Sequence, residues 1–253
     1  MAKPKDMASA LTSGAIRTVT IEDAPAIHAI YAPYVANTVI SFEATPPSVE
    51  EMAARIQKTL GKYPWLVYTV DAEADKEVDA EADAEADKEA ARQNGGEPAT
   101  LARQDSRLDS LIAGYVYASS HRERAAYQWS VDVSVYVSPH YQRRNIGRGL
   151  YVALFELLAA QGFVNAYAGI ALPNAASVGI HEALGFMPIG VYRQVGYKLG
   201  SWHDVGWWGL RLAAPALEPM PPRPISEFFE TPVWSAALAR GLACIKARTS
   251  PVL

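Results

Sequence analysis

The residues from Trp129 to Tyr151 constrain the fold of this chain more than any other stretch. Between Ser130 and Val137, valine alternates with polar or aromatic residues, which is the two-residue period of a β-strand with one buried face. Pro139 ends that strand, and a short polar and basic turn follows it. After Asn145 the apolar residues recur at helical spacing. The sequence therefore predicts a strand, a turn and a helix in direct succession.

Such a junction is suited to binding phosphate. The backbone N–H groups at the start of a helix lack partners, and the helix dipole adds partial positive charge at the same place. Arg143, Arg144 and Arg148 add full positive charges around the turn. From geometry alone, an ordinary β–turn–α corner with a basic surface is an equally good interpretation, because such corners are common in α/β folds.

The turn resembles the acetyl-CoA-binding motif of the GNAT N-acetyltransferases, Gln/Arg-x-x-Gly-x-Gly/Ala. Here it is Gln142-Arg143-Arg144-Asn145-Ile146-Gly147, so Asn145 replaces the first glycine. Asparagine is the non-glycine residue that best tolerates a positive φ. The resemblance implies that backbone amides of the turn hold the cofactor pyrophosphate and that the preceding strand pairs with the pantetheine arm. The residues implied in cofactor binding are Val135, Tyr136, Val137, Arg143, Arg144, Asn145, Ile146, Gly147, Arg148 and Asn174.

The resemblance covers about Ile16 to Leu212, apart from residues 72–107. In detail the chain is similar to the phosphinothricin/methionine sulfoximine acetyltransferase branch. It implies an α/β (α+β) GNAT fold, with a mixed, mostly antiparallel twisted sheet of six to seven strands, flanked by about four helices and splayed between its two central strands. It also implies acetyl transfer from acetyl-CoA to the α-amine of a small amino acid analogue. The matching segments are residues 63–67, 127–131, 172–174, 181–186, 196–198 and 202–206.

The rest of the chain divides by composition. Residues 1–14 are predicted to be a disordered lead-in and residues 15–212 the GNAT-like domain. Within that domain, residues 72–107 repeat Ala-Glu-Ala-Asp and are predicted to be a solvated, disordered insertion in a β-hairpin, an acidic binding tail being the alternative. Residues 213–253 begin rich in proline and are predicted to be an extension, in which Trp234 to Ile245 is a candidate for one docked helix.

Charge and cysteine content narrow the class of protein. The formal net charge is −4, and the residues from Asp71 to Glu89 carry −8 of it, so the remainder of the chain carries +4. That balance suits a polyanionic cofactor but is too weak to indicate nucleic acid. A single cysteine, no signal-like segment and no long apolar run favour a cytoplasmic protein without a membrane partner. No metal-ligand spacing is present, so we expect no metal.

Asp132 and His181 are the candidate catalytic residues. The attacking amine must be neutral, so a carboxylate or an imidazole has to accept a proton. Asp132 occupies the position of the family's catalytic Glu, with a side chain shorter by one methylene. In this branch His181 is implicated as a base or substrate contact, and the sequence leaves open which of the two is the base. Asn174 either contacts pantetheine or caps the helix that carries His181.

Four residues are candidates for substrate binding. Arg124 and Tyr127 match substrate-side positions of the branch, and an arginine offers a bidentate donor to a phosphinate or carboxylate. Phe42 and Glu43 resemble its other substrate wall. The neighbouring His203 and Asp204 do not suggest a hydrolase, because adjacent strand residues point to opposite faces.

Two other functions remain open, namely a GNAT enzyme that modifies a protein or peptide amine and a degenerate acyl-CoA-binding sensor. The last predicted strands, Met187 to Tyr192 and Val205 to Leu212, are joined by a glycine-rich aromatic loop that suggests a small, closed pocket. A small pocket argues against a protein substrate. Asn145 and Asp132, which both depart from the family pattern, support the sensor. Relatives in this branch are commonly dimers, which implies a homodimer.

Overall fold

The computed structural model describes residues 14–71 and 110–247. The predicted lead-in and acidic insertion therefore lie, apart from Gly14, outside the described residues. The strands are β1 (Ala15–Thr18), β2 (Trp65–Asp71), β3 (Ser110–Ser120), β4 (Ser130–Val137), β5 (Asn165–Leu172), β6 (Met187–Lys198) and β7 (Ser201–Arg211). The helices are α1 (Ala24–Asn37), α2 (Val49–Leu60), α3 (Ile146–Gln161), α4 (Ala175–Ala183) and α5 (Pro232–Lys246).

The strands form one mixed sheet in the order β1-β2-β3-β4-β5-β7-β6. Every neighbouring pair is antiparallel except β4 and β5, which run parallel at the centre. That parallel pairing covers only Ser130 to Asp132 on β4, and beyond it β5 pairs with β7 alone. The two central strands therefore fork after Asp132, which confirms the predicted fold.

The two faces of the sheet carry different layers. Val131 and Val133 of β4 belong to a large apolar cluster with α3 and α5. The opposite face packs under α1 and α2 through a second cluster that includes Trp65, Val67 and Tyr115. Successive strand residues point to opposite faces, so Asp132, Ser134 and Tyr136 lie on the α1/α2 side.

Local signals in the sequence explain where the helices begin and end. Ser48 accepts a hydrogen bond from the Glu51 N–H, and the Glu51 carboxylate accepts one from the Ser48 N–H, so the predicted capping box starts α2. Asn145 precedes α3 with φ 59°, the left-handed conformation that its residue type tolerates. Gly185 follows α4 with φ 90°, as expected of a glycine that ends a helix.

The prediction of a long loop between the last two strands is wrong. β6 and β7 extend through it as one hairpin, with an irregularity between Tyr192 and Gly196, and turn at Leu199 and Gly200, both at positive φ. Gly196, which suggested a loop, lies inside β6 instead, and Gly206 lies inside β7. A Cβ on Gly196 would lie 2.2 Å from the Phe42 ring, and one on Gly206 would lie 2.4 Å from the Trp208 ring. These glycines therefore give space to aromatic side chains, rather than flexibility to the backbone.

The extension after Leu212 returns to the domain as α5, which packs across α3. Gly149 and Gly241 lie at the crossing, where a Cβ on either would lie within 2.5 Å of the other's carbonyl oxygen. At the end of α5 the Ala247 carbonyl accepts a hydrogen bond from Asn145 Nδ2 at 3.1 Å. The C-terminal helix thus contacts the turn that opens α3. Among the described residues, no helix is both long and apolar enough to cross a bilayer.

Candidate active site

Asp132 lies where the central strands fork. It is the last residue of β4 that pairs with β5, opposite Tyr167, and on its other side it pairs with Ser119 of β3. Its side chain is 30% exposed. Burial raises the pKa of the Asp132 carboxyl above its ordinary value, and the hydrogen bond with His121 opposes that shift.

His121 is the partner that sequence reasoning missed. Its Nδ1 lies 2.6 Å from Oδ1 of Asp132, and its side chain is 15% exposed. The ring packs on Tyr167 with centroids 4.4 Å apart and meets the edge of Trp207 at 6.1 Å. The pairing of Ser119 with Asp132 brings the end of β3 beside the carboxylate. Only that strand register could have revealed the contact.

A cavity of about 940 Å³ opens on the α1/α2 side, and His121 lies on its wall. Its floor is aromatic, with stacked rings of Trp65, Tyr115 and Tyr117. Charged side chains surround the opening, four of them cationic and one acidic. They are Arg55, Lys58, Arg122, Arg124 and Glu123. The predicted substrate residues Arg124 and Tyr127 both line this cavity.

The other predicted substrate residues lie in the loop between α1 and α2. Glu43 receives two hydrogen bonds from Arg55, at 2.7 and 2.9 Å, and one from the Tyr31 hydroxyl at 2.8 Å. The Arg55 guanidinium lowers the pKa of Glu43, while burial raises the pKa of Tyr31 to about 12. Glu43 therefore stays charged and holds Arg55 at the cavity wall.

Phe42 is exposed and lies beside His203, with ring centroids 6.4 Å apart. The Lys198 ammonium of β6 donates to the carbonyls of Val35 and Ser41, both at 2.6 Å, and so ties this loop to the β6–β7 hairpin. The neighbouring Asp204 pairs with Arg193 and not with His203. The structure therefore brings no catalytic pair together at His203 and Asp204.

His181 lies away from the cavity, on α4. It is 4% exposed, and its Nε2 is 3.0 Å from the Tyr151 hydroxyl, while Nδ1 is 2.7 Å from the Ser177 carbonyl oxygen. Burial lowers the pKa of His181 below its ordinary value. Asn174 caps the same helix, because its side-chain oxygen accepts the Ser177 N–H at 3.0 Å. The structure does not bring His181 to Asp132.

The basic turn presents its backbone at the start of α3. The first intrahelical bond runs from the Gly149 N–H to the Asn145 carbonyl, so the N–H groups before Gly149 have no partner in the helix. Arg143 and Asn145 both have positive φ, 62° and 59°. Gly147 is buried, and a Cβ there would lie 3.2 Å from Ile180. Beyond Asp132, the edge of β4 that includes Val135 to Val137 faces away from β3 and pairs with no described strand.

Comparison with known proteins identifies this arrangement. Residues 102–207 match the family model described as an acetyltransferase (GNAT) domain. The phosphinothricin N-acetyltransferase of Streptomyces viridochromogenes is 32% identical over 212 residues, which cover 84% of this chain and 94% of that relative. The chain belongs to the GNAT family of acetyltransferases. It is an acetyltransferase of the phosphinothricin and methionine sulfoximine type.

Two further relatives agree with this GNAT assignment. The L-methionine sulfoximine/L-methionine sulfone acetyltransferase of Pseudomonas paraeruginosa is 30% identical over 200 residues, 79% of this chain and 95% of the relative. A crystal structure of a GNAT superfamily phosphinothricin acetyltransferase from Sinorhizobium meliloti, in complex with AcCoA, superposes with a TM-score of 0.64. It is 27% identical, and the match covers 84% of this chain and 98% of that one. Among the described residues of this acetyltransferase, no cluster of three or more His, Cys, Asp or Glu is placed to bind a metal.

Proposed function

We propose that this acetyltransferase uses acetyl-CoA to acetylate the α-amine of a small amino acid analogue, of the phosphinothricin or methionine sulfoximine kind. The observation that carries the proposal is the fork between β4 and β5. The unpaired edge of β4 begins after Asp132 and runs to the end of the strand, which the basic turn follows. Asp132, through His121, adjoins a cavity with cationic side chains. The strand edge proposed for the cofactor, the carboxylate of Asp132 and the cavity proposed for the amine thus lie next to one another.

The residues present fit acetyl-CoA. The N–H groups before Gly149, with Arg143, Arg144 and Arg148 near them, suit the pyrophosphate. The unpaired edge that includes Val135 to Val137 suits the amides of the pantetheine arm, which would add as a strand. When bound, acetyl-CoA supplies the acetyl group as a thioester. The side-chain oxygen of Asn174 already accepts a hydrogen bond as a helix cap. In this proposal Asn174 contributes to cofactor binding by holding α4 in place.

The charge around the cavity supports an anionic amino acid as the acceptor. Arg55 is neutralised by Glu43, which leaves Lys58, Arg122 and Arg124 against Glu123. Arginine binds carboxylate or phosphinate oxygens in a bidentate manner, and a net positive rim concentrates anions. Arg124 and Tyr127 are the residues that we expect to contact the substrate directly. Phe42 and Glu43 shape and fix the opposite loop.

Asp132 is the carboxylate that serves proton transfer in this proposal. The substrate ammonium must lose a proton before its nitrogen can attack, and a raised pKa makes a carboxylate a better base. Backbone N–H groups on the free edge of β4 are the candidate donors to the oxyanion. His181 has hydrogen-bond partners at both ring nitrogens, so we assign it to the support of α4 instead of the proton transfer.

A homodimer belongs to the same proposal. The edge strand β6 and the following turn expose large apolar side chains, which is unusual for a monomer surface. They are Met187, Ile189, Tyr192, Val195, Tyr197 and Leu199. A second copy covering this face would remove the exposed edge. Light scattering on a sizing column should give twice the chain mass, and a charged substitution at Ile189 should halve it.

Thiol release from acetyl-CoA tests the proposed activity. The amine panel is phosphinothricin, methionine sulfoximine and methionine sulfone, with peptides bearing free N-termini as the comparison. Turnover of the small amino acids, and none of the peptides, supports the proposal. Binding of acetyl-CoA without turnover of any amine would favour the sensor, and preference for peptides would favour a protein-modifying enzyme.

A further inference from the structure

The fork holds one chemically active side chain that neither the family resemblance nor the proposed function assigns. His121 contacts Asp132 through Nδ1 and lies on the cavity wall, whereas Asp132 itself does not line that cavity. Among the described residues, Nε2 of His121 has no hydrogen-bond partner. The ring therefore lies between the carboxylate and the space that an amine would occupy.

We propose that His121 is the group that takes the proton from the substrate ammonium, and that Asp132 acts through it as a positioning residue. This inference rests on the proposed function. A carboxylate at Nδ1 holds the proton on that nitrogen, so Nε2 carries the free lone pair and acts as the acceptor. The same carboxylate stabilises the imidazolium that forms, as in other His–Asp pairs.

The short side chain at position 132 gives this arrangement a physical reason. Asp132 stands where the family has a glutamate, so its carboxylate reaches less far by one methylene. The His121 ring, 2.6 Å from that carboxylate, extends the chain of hydrogen bonds into the cavity. A bound water would be the other way to close the gap, but the ring already occupies the position next to Oδ1.

The neighbours of His121 hold the ring in place without competing for its proton. Tyr167 of β5 packs on one side, and Trp207 of β7 and Tyr127 meet it with their edges. The charged side chains nearby are Arg122, Arg124 and Glu123 in the following loop and Arg55 and Lys58 on α2. Arg122 donates to the His121 backbone carbonyl and extends over Trp207.

The proton balance of the step is complete. The ammonium nitrogen gives one proton to Nε2 and becomes neutral. The nitrogen then forms the amide bond as the thioester C–S bond breaks, and its second proton leaves with the sulfur as the thiol. His121 releases its proton to solvent before the next cycle.

Three variants test the inference on the full chain, with turnover and the pH profile of kcat/KM as readouts. His121→Phe keeps an aromatic ring against Tyr167 but removes both nitrogens, and should lower kcat by roughly 10²–10⁴-fold. Combining it with Asp132→Asn should cost little more, since residues that act as a unit are not additive. Combining His121→Phe with Asp132→Glu should restore part of the rate, because the longer carboxylate reaches the amine itself.

His28→Phe is the matched control, since it replaces a histidine on α1 that does not line the cavity. His121→Gln serves if the phenylalanine variant fails to fold, because an amide still bonds Asp132 but cannot accept the proton. Wild-type kcat and an unchanged pH profile in a folded His121 variant would overturn the inference alone. No turnover by the wild-type chain on any amine would overturn the proposed function, and the inference with it.

Discussion

The two faces of β4 differ in what covers them. Val131 and Val133 lie under α3, where glycines let α5 pack closely, in a large apolar cluster. Asp132 and Ser134 lie on the opposite face, next to aromatic rings and a large cavity. One strand therefore serves both as a wall of the core and as a wall of the site.

Two histidines show what this difference does to one residue type. The face of the sheet that α3 and α5 cover is called the closed face here. His181 lies on this face, with both ring nitrogens hydrogen-bonded and a lowered pKa that keeps the ring neutral. His121 is on the open face, which borders the cavity, with one nitrogen on a carboxylate and the residue on the cavity wall. Burial makes a histidine structural, whereas a partner on one side and space on the other make it available for proton transfer.

Asp132→Asn should have an effect on the open face as large as that of His121→Phe. The amide keeps the shape but donates a hydrogen bond to Nδ1, which leaves His121 in the wrong tautomer. Turnover should fall by about 10²–10⁴-fold while the affinity for CoA and the melting temperature stay close to wild type. Steady-state kinetics and a CoA titration measure both. Asp132→Glu is the matched variant and should retain activity, whereas near-full activity of Asp132→Asn would remove the carboxylate from the mechanism.

Among changes on the closed face, Gly147→Val should have the largest effect on stability and on CoA binding. An added Cβ at Gly147 would lie 3.2 Å from Ile180 and close to Val137 and Val135, so a branched side chain pushes the first turn of α3 off β4. We expect a loss of about 1–3 kcal/mol in stability, as for overpacking in general. CoA binding should weaken with it, since the same turn presents the free N–H groups.

Gly179→Val on α4 is the control for this glycine, because nothing lies within 4 Å of a Cβ at that position. It should cost only helix propensity and leave the dissociation constant for CoA unchanged. An unchanged constant in Gly147→Val as well would place the cofactor site elsewhere.

His181 gives a pH dependence of stability whose sign follows from its lowered pKa. The folded state resists protonation, so the contribution of His181 is fully present above about pH 6.5, the ordinary value, and is lost as the pH falls toward the folded-state pKa. His181→Gln keeps a hydrogen bond to Tyr151 but does not titrate. The variant should be less stable than wild type at pH 7.5, and the difference should narrow at pH 5. Loss of the acid limb of kcat/KM in this variant would instead make His181 the base.

Many features of β4 and its neighbours could be predicted from the sequence, but the contact between His121 and Asp132 could not. The alternation of β4, the Ser48 capping box and the turn at Asn145 are local patterns, and each appears where it was expected. The contact of His121 with Asp132 depends on the register of β3 against β4, which no local pattern sets. Gly196 misled for a related reason, because it makes room for the ring of Phe42, which is distant in sequence.

Asn145 connects the closed face to the cofactor turn, and its replacement should have a smaller effect. Its side chain donates to the Ala247 carbonyl at the end of α5, and its backbone has φ 59°. Asn145→Ala should cost about 1 kcal/mol from the left-handed conformation and raise the KM for acetyl-CoA. Asn145→Gly relieves that strain and removes only the bond to α5, so it isolates the contribution of the C-terminal helix. Equal effects of the two variants would show that strain is unimportant.

Deletion of residues 73–106 should have the smallest effect, because the strands on either side of this segment already pair with each other. Asp71 pairs with Ser110, so β2 and β3 can be closed by a short hairpin turn. The cavity lies at the other end of these strands, near Trp65 and Ser119, about 20 Å away at 3.3 Å per residue. We expect melting temperature and turnover to stay within error of wild type. The cofactor turn is nearer, since Gly114 pairs with Val137. An increased KM for acetyl-CoA with unchanged kcat would therefore mean that the acidic segment acts on the cofactor, and a loss of kcat would mean that it reaches the open face.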